Sequence, residues 1–359
     1  MLFPWIHPHL AQSVDPIKGR KLQASKPIQR GEVLLIDPPY AIIPTPTVES
    51  DIDIGNAEPT ILLCSNPHCN CSLPQGSEGI PCANRCSKDV TWCNEICQEA
   101  DRQRHEFECT WLAKYATSLR SKWGEYNFGM LWIIVRLLAR RHTEPRDDNT
   151  DNTHGHANGT TTEQTNQLAS INVSTFKSGW PAISSLCGTT ESWSHAQTRE
   201  WTVLVKKYLS TRSLPHDLSN AEVLGLICQE EANSFGLYPK ETGVYPPTPA
   251  SESTYGGRGE KFGAAVYPRA SIANHSCCPN MTHKPDKNGR MVFTAGRDIA
   301  AGEECCISYF DMAQYVELNE RRGHLQDLFR FKCGCPRCTA EIVEEDEGTK
   351  WDGDGFWGF

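Results

Sequence analysis

At 359 residues the chain is long enough for about one to three domains with a real hydrophobic core. A formal net charge of −9 argues against a nucleic-acid groove as the principal function and suits a basic partner. No uninterrupted apolar run reaches the length of a membrane span, the longest being 130–139 with Arg136 inside it. The first residues lack the charged and long apolar regions of a secretory signal. Seventeen cysteines, clustered in pairs beside a histidine, therefore read as reduced, metal-binding thiols inside a cell and not as a disulfide framework.

From the N-terminus, branched runs in 16–24 and 28–36, punctuated by Gly19 and Gly31, predict a β-hairpin or meander. The stretch 64–109 is the most metal-like: Cys64, Cys69, Cys71, Cys82, Cys86, Cys93, Cys97, His105 and Cys109. A tetrahedral site takes four ligands, so these donors fill two sites with one to spare. Cys93 with Cys97, and His105 with Cys109, are spaced to sit on successive turns of a short helix predicted over 94–107. Glu95, Glu99, Asp101, Glu106 and Glu108 interrupt any basic stripe there, which speaks against base reading. A helix is predicted over 123–141, with Leu131, Ile134, Val135 and Leu138 on one face. Residues 143–167 are polar and aperiodic, and predict a disordered loop. A second helix is predicted at 201–209, and Ser219 with Glu222 forms a capping box that opens a third. That helix leads into Asn233, Ser234 and Phe235, then an external loop rich in Pro, Gly, Ser and Thr at 240–260, then a strand at 264–267.

The following stretch, 274–309, organises the chain. Asn274, His275, Ser276 and Cys277 come first, a strand at 291–295 and a Gly302 turn follow, and a second short strand ends in Ile307, Ser308 and Tyr309. Downstream, Cys333, Cys335 and Cys338 supply three of the four soft ligands of a structural zinc site, and Cys277 is the natural fourth. One metal would then tie the end of the chain onto the Asn-His segment. The last stretch, 341–359, reads as an acidic-aromatic tail, an acidic run followed by Trp351, Phe356, Trp357 and Phe359, that is either solvated or docked on the body or a partner.

Asn-His-Ser-Cys, then Gly-Glu-Glu before Ile-Ser-Tyr, then Cys-x-Cys-x2-Cys resembles the catalytic end and post-SET segment of SET-domain protein lysine methyltransferases. Trp92-Cys93-x3-Cys97 with the closing His105-x3-Cys109 resembles a MYND zinc finger. A finger inserted between two SET-like stretches is the arrangement of the SMYD-type family and its fungal relatives, here in a short form without their C-terminal helical-repeat domain. The resemblance implies an α+β fold: a β-rich SET domain with a knot-like active site, an inserted MYND-type finger and a cysteine-rich post-SET segment. The implied parts are 15–63 and 233–325 for the SET domain, 64–109 for the finger, 110–232 for a helical insert and 326–340 for the post-SET segment. Interleaved ligation is implied for the finger: Cys93 and Cys97 with Cys64 and either Cys69 or Cys71, Cys69 being preferred, and Cys82 and Cys86 with His105 and Cys109. With Cys277, Cys333, Cys335 and Cys338 this makes three zinc ions.

The implied activity is transfer of methyl groups from S-adenosylmethionine to lysine side chains in proteins, with basic histone tails the leading substrate. Tyr309 is implied as the catalytic hydroxyl and a cofactor contact. Gly19, Asn233, Phe235, Ser271, Asn274, His275, Phe329 and Phe331 are implied as further cofactor contacts. Lys21 stands where the family has a second glycine, so its side chain crowds the cofactor or its ammonium meets the cofactor carboxylate. A monomer in nucleus and cytoplasm, with proline-containing peptides at the finger, completes the expectation. The rival expectation is a catalytically silent scaffold that keeps the fold and binds such peptides.

Overall fold

The computed structural model describes residues 3–45, 61–73, 77, 79–144, 176–246 and 258–348. The loop expected at 143–167, apart from its first two residues, and the aromatic positions of the tail lie outside the described residues. In chain order the strands are β1 (Trp5–Ile6), β2 (Leu10–Asp15), β3 (Gly19–Ala24), β4 (Val33–Asp37), β5 (Ala41–Pro44), β6 (Ile80–Pro81) and β7 (Thr91–Trp92). Later come β8 (Ser234–Leu237), β9 (Gly263–Val266), β10 (Asn274–His275), β11 (Met281–Pro285), β12 (Met291–Ala295) and β13 (Glu304–Ile307). The helices are α1 (Glu95–Ala100), α2 (Arg102–Thr143), α3 (Gly179–Ile183), α4 (His195–Leu204), α5 (Asn220–Asn233), α6 (Leu318–Phe329) and α7 (Pro336–Gly348).

Small sheets frame the molecule, in the orders β1-β4-β12-β11, β10-β13-β3-β2 and β5-β9-β8, with the pair β6-β7 in the finger. Only β2 and β3 make the expected early hairpin. The Asp15 carboxylate accepts from the amides of Ile17 and Lys18 in its turn, and Gly19 takes φ +75°, a conformation that side chains disfavour. The run at 28–36 does not pair with it, because β4 enters the sheet with β1 and β12 instead. In the same way β12 and β13, adjacent in sequence, belong to different sheets, and β13 runs parallel to β10.

The helix expected at 94–107 is two pieces. Asn94 caps α1, its side chain accepting from the Cys97 amide, and the chain breaks at Asp101 before α2 begins. α2 is two helical arms that meet at Gly124, where φ 81° and ψ 169° are not helical, and the expected 123–141 helix is its second arm. Its stretch 130–139 is buried on every side and not on one face, since β5, α5 and the π turn Val205–Leu209 that ends α4 all pack on it. The Ser219–Glu222 capping box starts α5 as the sequence requires.

The expected boundary between finger and helical insert falls inside α2, and the finger's cysteines share a continuous core with Trp111, Phe128 and Trp132. The finger is thus packed into the body. A second core fills the sheets around Phe293 and Tyr267, and a third joins Cys277, Phe310 and Leu325 beneath α6 and α7. Among the described residues no helix is long and apolar enough to cross a membrane.

Candidate active site and metal centres

Three groups of four donor atoms gather among the described residues: Cys64, Cys69, Cys93 and Cys97; Cys82, Cys86, His105 and Cys109; and Cys277, Cys333, Cys335 and Cys338. Within each, the ligand atoms lie within 4.8 Å of one another. A Zn–S bond of about 2.3 Å in a tetrahedron sets S···S edges of about 3.8 Å. The structure gives 3.9 Å for Cys69–Cys93, 3.7 Å for Cys82–Cys109, and 3.9 and 3.6 Å from Cys277 to Cys333 and Cys338. These spacings suit zinc and are far from a disulfide, and all seventeen cysteines are free. Cys69 joins the first group and Cys71 does not; the Cys71 carbonyl accepts from the Cys64 amide instead.

Each histidine beside these groups is oriented by a second partner. His105 turns Nε2 toward Cys82 (3.2 Å) and Cys86 (3.7 Å), while Nδ1 meets the Glu108 carboxylate at 3.2 Å. Burial alone would raise the Glu108 carboxyl, but the guanidinium groups of Arg104 and Arg136 beside it hold it well below the usual carboxylate range. His275 is similarly placed near the third group. Its Nδ1 accepts from the Tyr309 amide (3.1 Å), which puts the ring proton on Nε2, 3.3 Å from Cys277 Sγ. Burial pushes this imidazole down to about 3, so it is neutral.

An open cavity of about 180 Å³ lies between β3, the end of α5 with β8, the turn Ala270–Ile272, β10, β13 and Phe329. Its wall includes Gly19, Asn233, Phe235, Ser271, Asn274, Tyr309 and Phe329, so seven of the ten expected cofactor positions converge here. The Tyr309 hydroxyl donates to the Ala273 carbonyl (2.9 Å), and its ring packs on Phe329 at 4.9 Å. Burial raises that hydroxyl above the ordinary tyrosine range, so it keeps its proton. Asn274 donates to the Arg20 carbonyl (3.2 Å) and to Glu304 (2.9 Å), locking β10 to the β3 turn. Asn233 donates to the carbonyls of Cys187 (2.6 Å) and Gln229 (2.7 Å). Its amide group therefore holds the Cys187 segment against α5.

Three expected contacts are elsewhere. Lys21 is not on the cavity wall, because its ammonium is drawn to Asp15 of the neighbouring strand at 3.9 Å. His275 lies behind Tyr309 as its positioning residue, its ring facing Tyr309, Phe310 and Phe331. Phe331 backs His275 and Tyr309 from the third core and does not line the cavity. Sequence reasoning missed Lys18, Arg20, Ser234, Ile272 and Ser308, all chain neighbours of expected positions and recoverable by proximity. It also missed Cys187, Arg258 and His283, which only tertiary structure brings in.

The SET domain family model matches residues 19–310, which takes in the finger and all of the cavity's lining except Lys18 and Phe329. The chain belongs to the SET-domain family. Among its relatives, the N-lysine methyltransferase SMYD2-A of Xenopus laevis is 24% identical over 327 residues, covering 91% of this chain and 60% of that protein. The potential protein lysine methyltransferase SET6 of Saccharomyces cerevisiae is 39% identical over 113 residues, 32% of this chain and 26% of that protein. This SET-domain chain thus spans about 60% of the length of the SMYD2 relatives it matches. A solved structure of the SET domain of LSMT bound to lysine and AdoHcy is 11% identical, covering 92% of this chain and 54% of that one at a TM-score of 0.38.

Proposed function

We propose that the chain is a protein lysine N-methyltransferase that uses S-adenosylmethionine, with basic histone tails as the leading substrate. The observation that carries this is the convergence of Tyr309, Phe329, Phe235, Asn274 and Gly19 on one cavity in a SET-domain chain. The wall suits the cofactor. An added Cβ at Gly19 would meet nothing within 4 Å, so open space faces the turn, and aromatic, carbonyl and hydroxyl groups stand around it. When bound, S-adenosylmethionine supplies a methyl group on a sulfonium.

The chain's own residues do the rest. Gly19 and Arg20 of the β3 turn and Asn274 of β10 form the cofactor wall, Phe235 and Phe329 exclude water, and Tyr309 holds a neutral hydroxyl in the cavity. That hydroxyl and the Ala273 carbonyl it meets are fixed oxygen dipoles, which favour the positive charge shared along the transferring bond. A reacting lysine must be neutral, and an apolar wall lowers its pKa by disfavouring the ammonium. The net charge of −9 favours a basic partner, and reduced thiols together with such a substrate are consistent with an enzyme of nucleus and cytoplasm. A monomer with a proline-peptide site on the finger fits the same reading.

The test is incubation of zinc-loaded protein with methyl-labelled S-adenosylmethionine, purified histones and cell extract, followed by mass spectrometry. Label on a lysine side chain is the expected result. Cofactor binding without label on any protein would replace the enzyme by a peptide-binding scaffold.

A further inference from the structure

The first arm of α2 and the π turn that ends α4 share a basic face, none of whose residues lines the cavity. From Thr110 to Lys122 the exposed side chains of α2 are Lys114, Lys122, one alanine and hydroxyls such as Thr117 and Ser121, with no acid among them. Beside it the stretch 201–216 exposes Lys206, Lys207 and Arg212 and contains no acid at all. Aromatic rings join the two elements. Tyr115 meets Tyr208 edge-on at 5.3 Å, and the Trp123 indole donates to the Tyr208 hydroxyl at 3.2 Å. Lys114 and Lys207 each hold their ammonium 4.9 Å from the Tyr115 and Tyr208 ring centres, and Lys122 lies 5.4 Å over Trp123. Among the described residues none of the five cations pairs with a carboxylate: Arg120 takes Asp89 and Glu125, and Arg141 takes Asp217. The next exposed acids along the two helices, Glu106 and Glu200, are about 12 and 9 Å from Lys114 and Lys206. In a chain of net charge −9 this face reverses the sign of the whole.

We infer that this face binds the phosphate backbone of double-stranded DNA without reading its sequence. Phosphate oxygens accept hydrogen bonds from lysine ammonium groups and from serine and threonine hydroxyls, the two kinds of group exposed here. Lys114 and Lys122 are about 12 Å apart along the helix, a span of about three to four phosphates on one strand. Duplex DNA presents negative charge without interruption, which suits a face free of acids, whereas a protein surface mixes both signs. Single strands are held by stacking on open aromatic faces as well as by charge. Tyr115, Tyr208 and Trp123 already have lysines over their rings, so the face suits a duplex. The finger takes no part in this contact. DNA binding here stands apart from the methyl-transfer reading; where both hold, it keeps the cavity beside the histones that DNA wraps.

The test is a fluorescence-anisotropy titration of the zinc-loaded full chain against a short random-sequence DNA duplex at several salt concentrations. Binding is expected with Kd of about 10⁻⁴–10⁻⁶ M near physiological salt, and log K should fall against log salt with a slope of about −3 to −4.5. Removing two of the cations in Lys114→Ala with Lys207→Ala should flatten that slope by about 1.8 and weaken binding at least about tenfold. Lys122→Ala with Arg212→Ala should do the same from other positions on the face, and it decides if the first pair fails to fold. Lys26→Ala with Lys284→Ala removes the same charge from exposed positions elsewhere and should leave both quantities near wild type. No salt-dependent binding, an unchanged slope in the folded face variants, or an equal loss in the control pair overturns the inference. So does tighter binding of a single strand, or competition by polyglutamate as effective per charge as that of DNA, which would make the face a site for acidic protein segments. None of these measurements involves methyl transfer, so their failure leaves the proposed activity untouched.

Discussion

At the scale of single residues, Tyr309 shows how a hydroxyl is set in place. Its ring is held by Phe329 and Phe331, its amide by His275 and its hydroxyl by Ala273. Tyr309→Phe keeps the ring and loses one hydrogen bond, which costs about 1 kcal/mol of stability. Calorimetry on this variant should find cofactor affinity near wild type while turnover falls by about a hundredfold or more, because the group acts chiefly in the transition state. Unchanged turnover would free Tyr309 of its assigned part. Tyr309, Asn274 and Phe329 were legible in the sequence because they sit in ordered short motifs. Lys21 was misplaced because spacing alone does not show Asp15, the opposite charge across the hairpin, competing for its ammonium. His283 was invisible for another reason: Met281, Thr282, His283 and Lys284 make a weak strand signal, so the alternation that turns His283 inward has no frame until β11 is seen to pair with β12.

Elements show what the sequence could only half specify. Cysteine spacing showed enough donors for two finger sites and pointed to Cys277 as the fourth ligand of the last group, since metal chemistry restricts donor type and number, but the interleaved pairing of the finger came from the resemblance to a MYND finger. Helix continuity was less legible, because an amphipathic pattern describes a helix on a surface and α2 is buried all round where it crosses the core. Its kink at Gly124 adopts a backbone conformation almost confined to glycine, with no atom near an added Cβ. Gly124→Ala should therefore cost about 1–3 kcal/mol by backbone strain alone, read as a lower denaturation midpoint with unchanged zinc content. A neutral result would mean that α2 straightens without loss. The last zinc group makes a different claim, because Cys277 leads out of β10 while its partners precede or begin α7. Cys277→Ser should lose one equivalent of zinc and as much activity as Cys335→Ser, since both open the same site and release His275 from behind Tyr309. Full zinc content and normal activity in Cys277→Ser would separate the two cysteines.

Across the whole molecule, one buried carboxylate connects finger to body. Glu108 meets His105, Arg104, Arg136 and the Trp132 indole, and Arg104 also donates to both oxygens of Asp101, one of which accepts from Trp92 of the finger as well. Arg136 in turn donates to the Ile42 carbonyl on β5. β5 pairs with β9, and β9 with β8, which carries Phe235 into the cavity. A route of packed groups thus runs from the Cys82 zinc group to the cavity wall. None of it could be read from the sequence, where Glu108 looks like one more acid on a charged helix, because its meaning depends on two arginines and a histidine folding around it. Glu108→Gln leaves both arginines buried against a neutral amide, and breaking such a network on one side costs about 3–5 kcal/mol. It also replaces the charged acceptor that orients His105 by a weaker neutral amide oxygen, and changing such an outer partner lowers zinc affinity by about 10–100-fold. The expected outcome is a lower melting temperature and selective loss of the zinc held by Cys82, Cys86, His105 and Cys109, while the group around Cys277 keeps its metal. Metal analysis during mild chelation reads this directly. If Glu108→Gln keeps all its zinc and melts as wild type, the carboxylate only fills space and finger and body are stabilised independently; if it loses zinc and cofactor affinity together, the finger is a structural support of the methyl-transfer cavity.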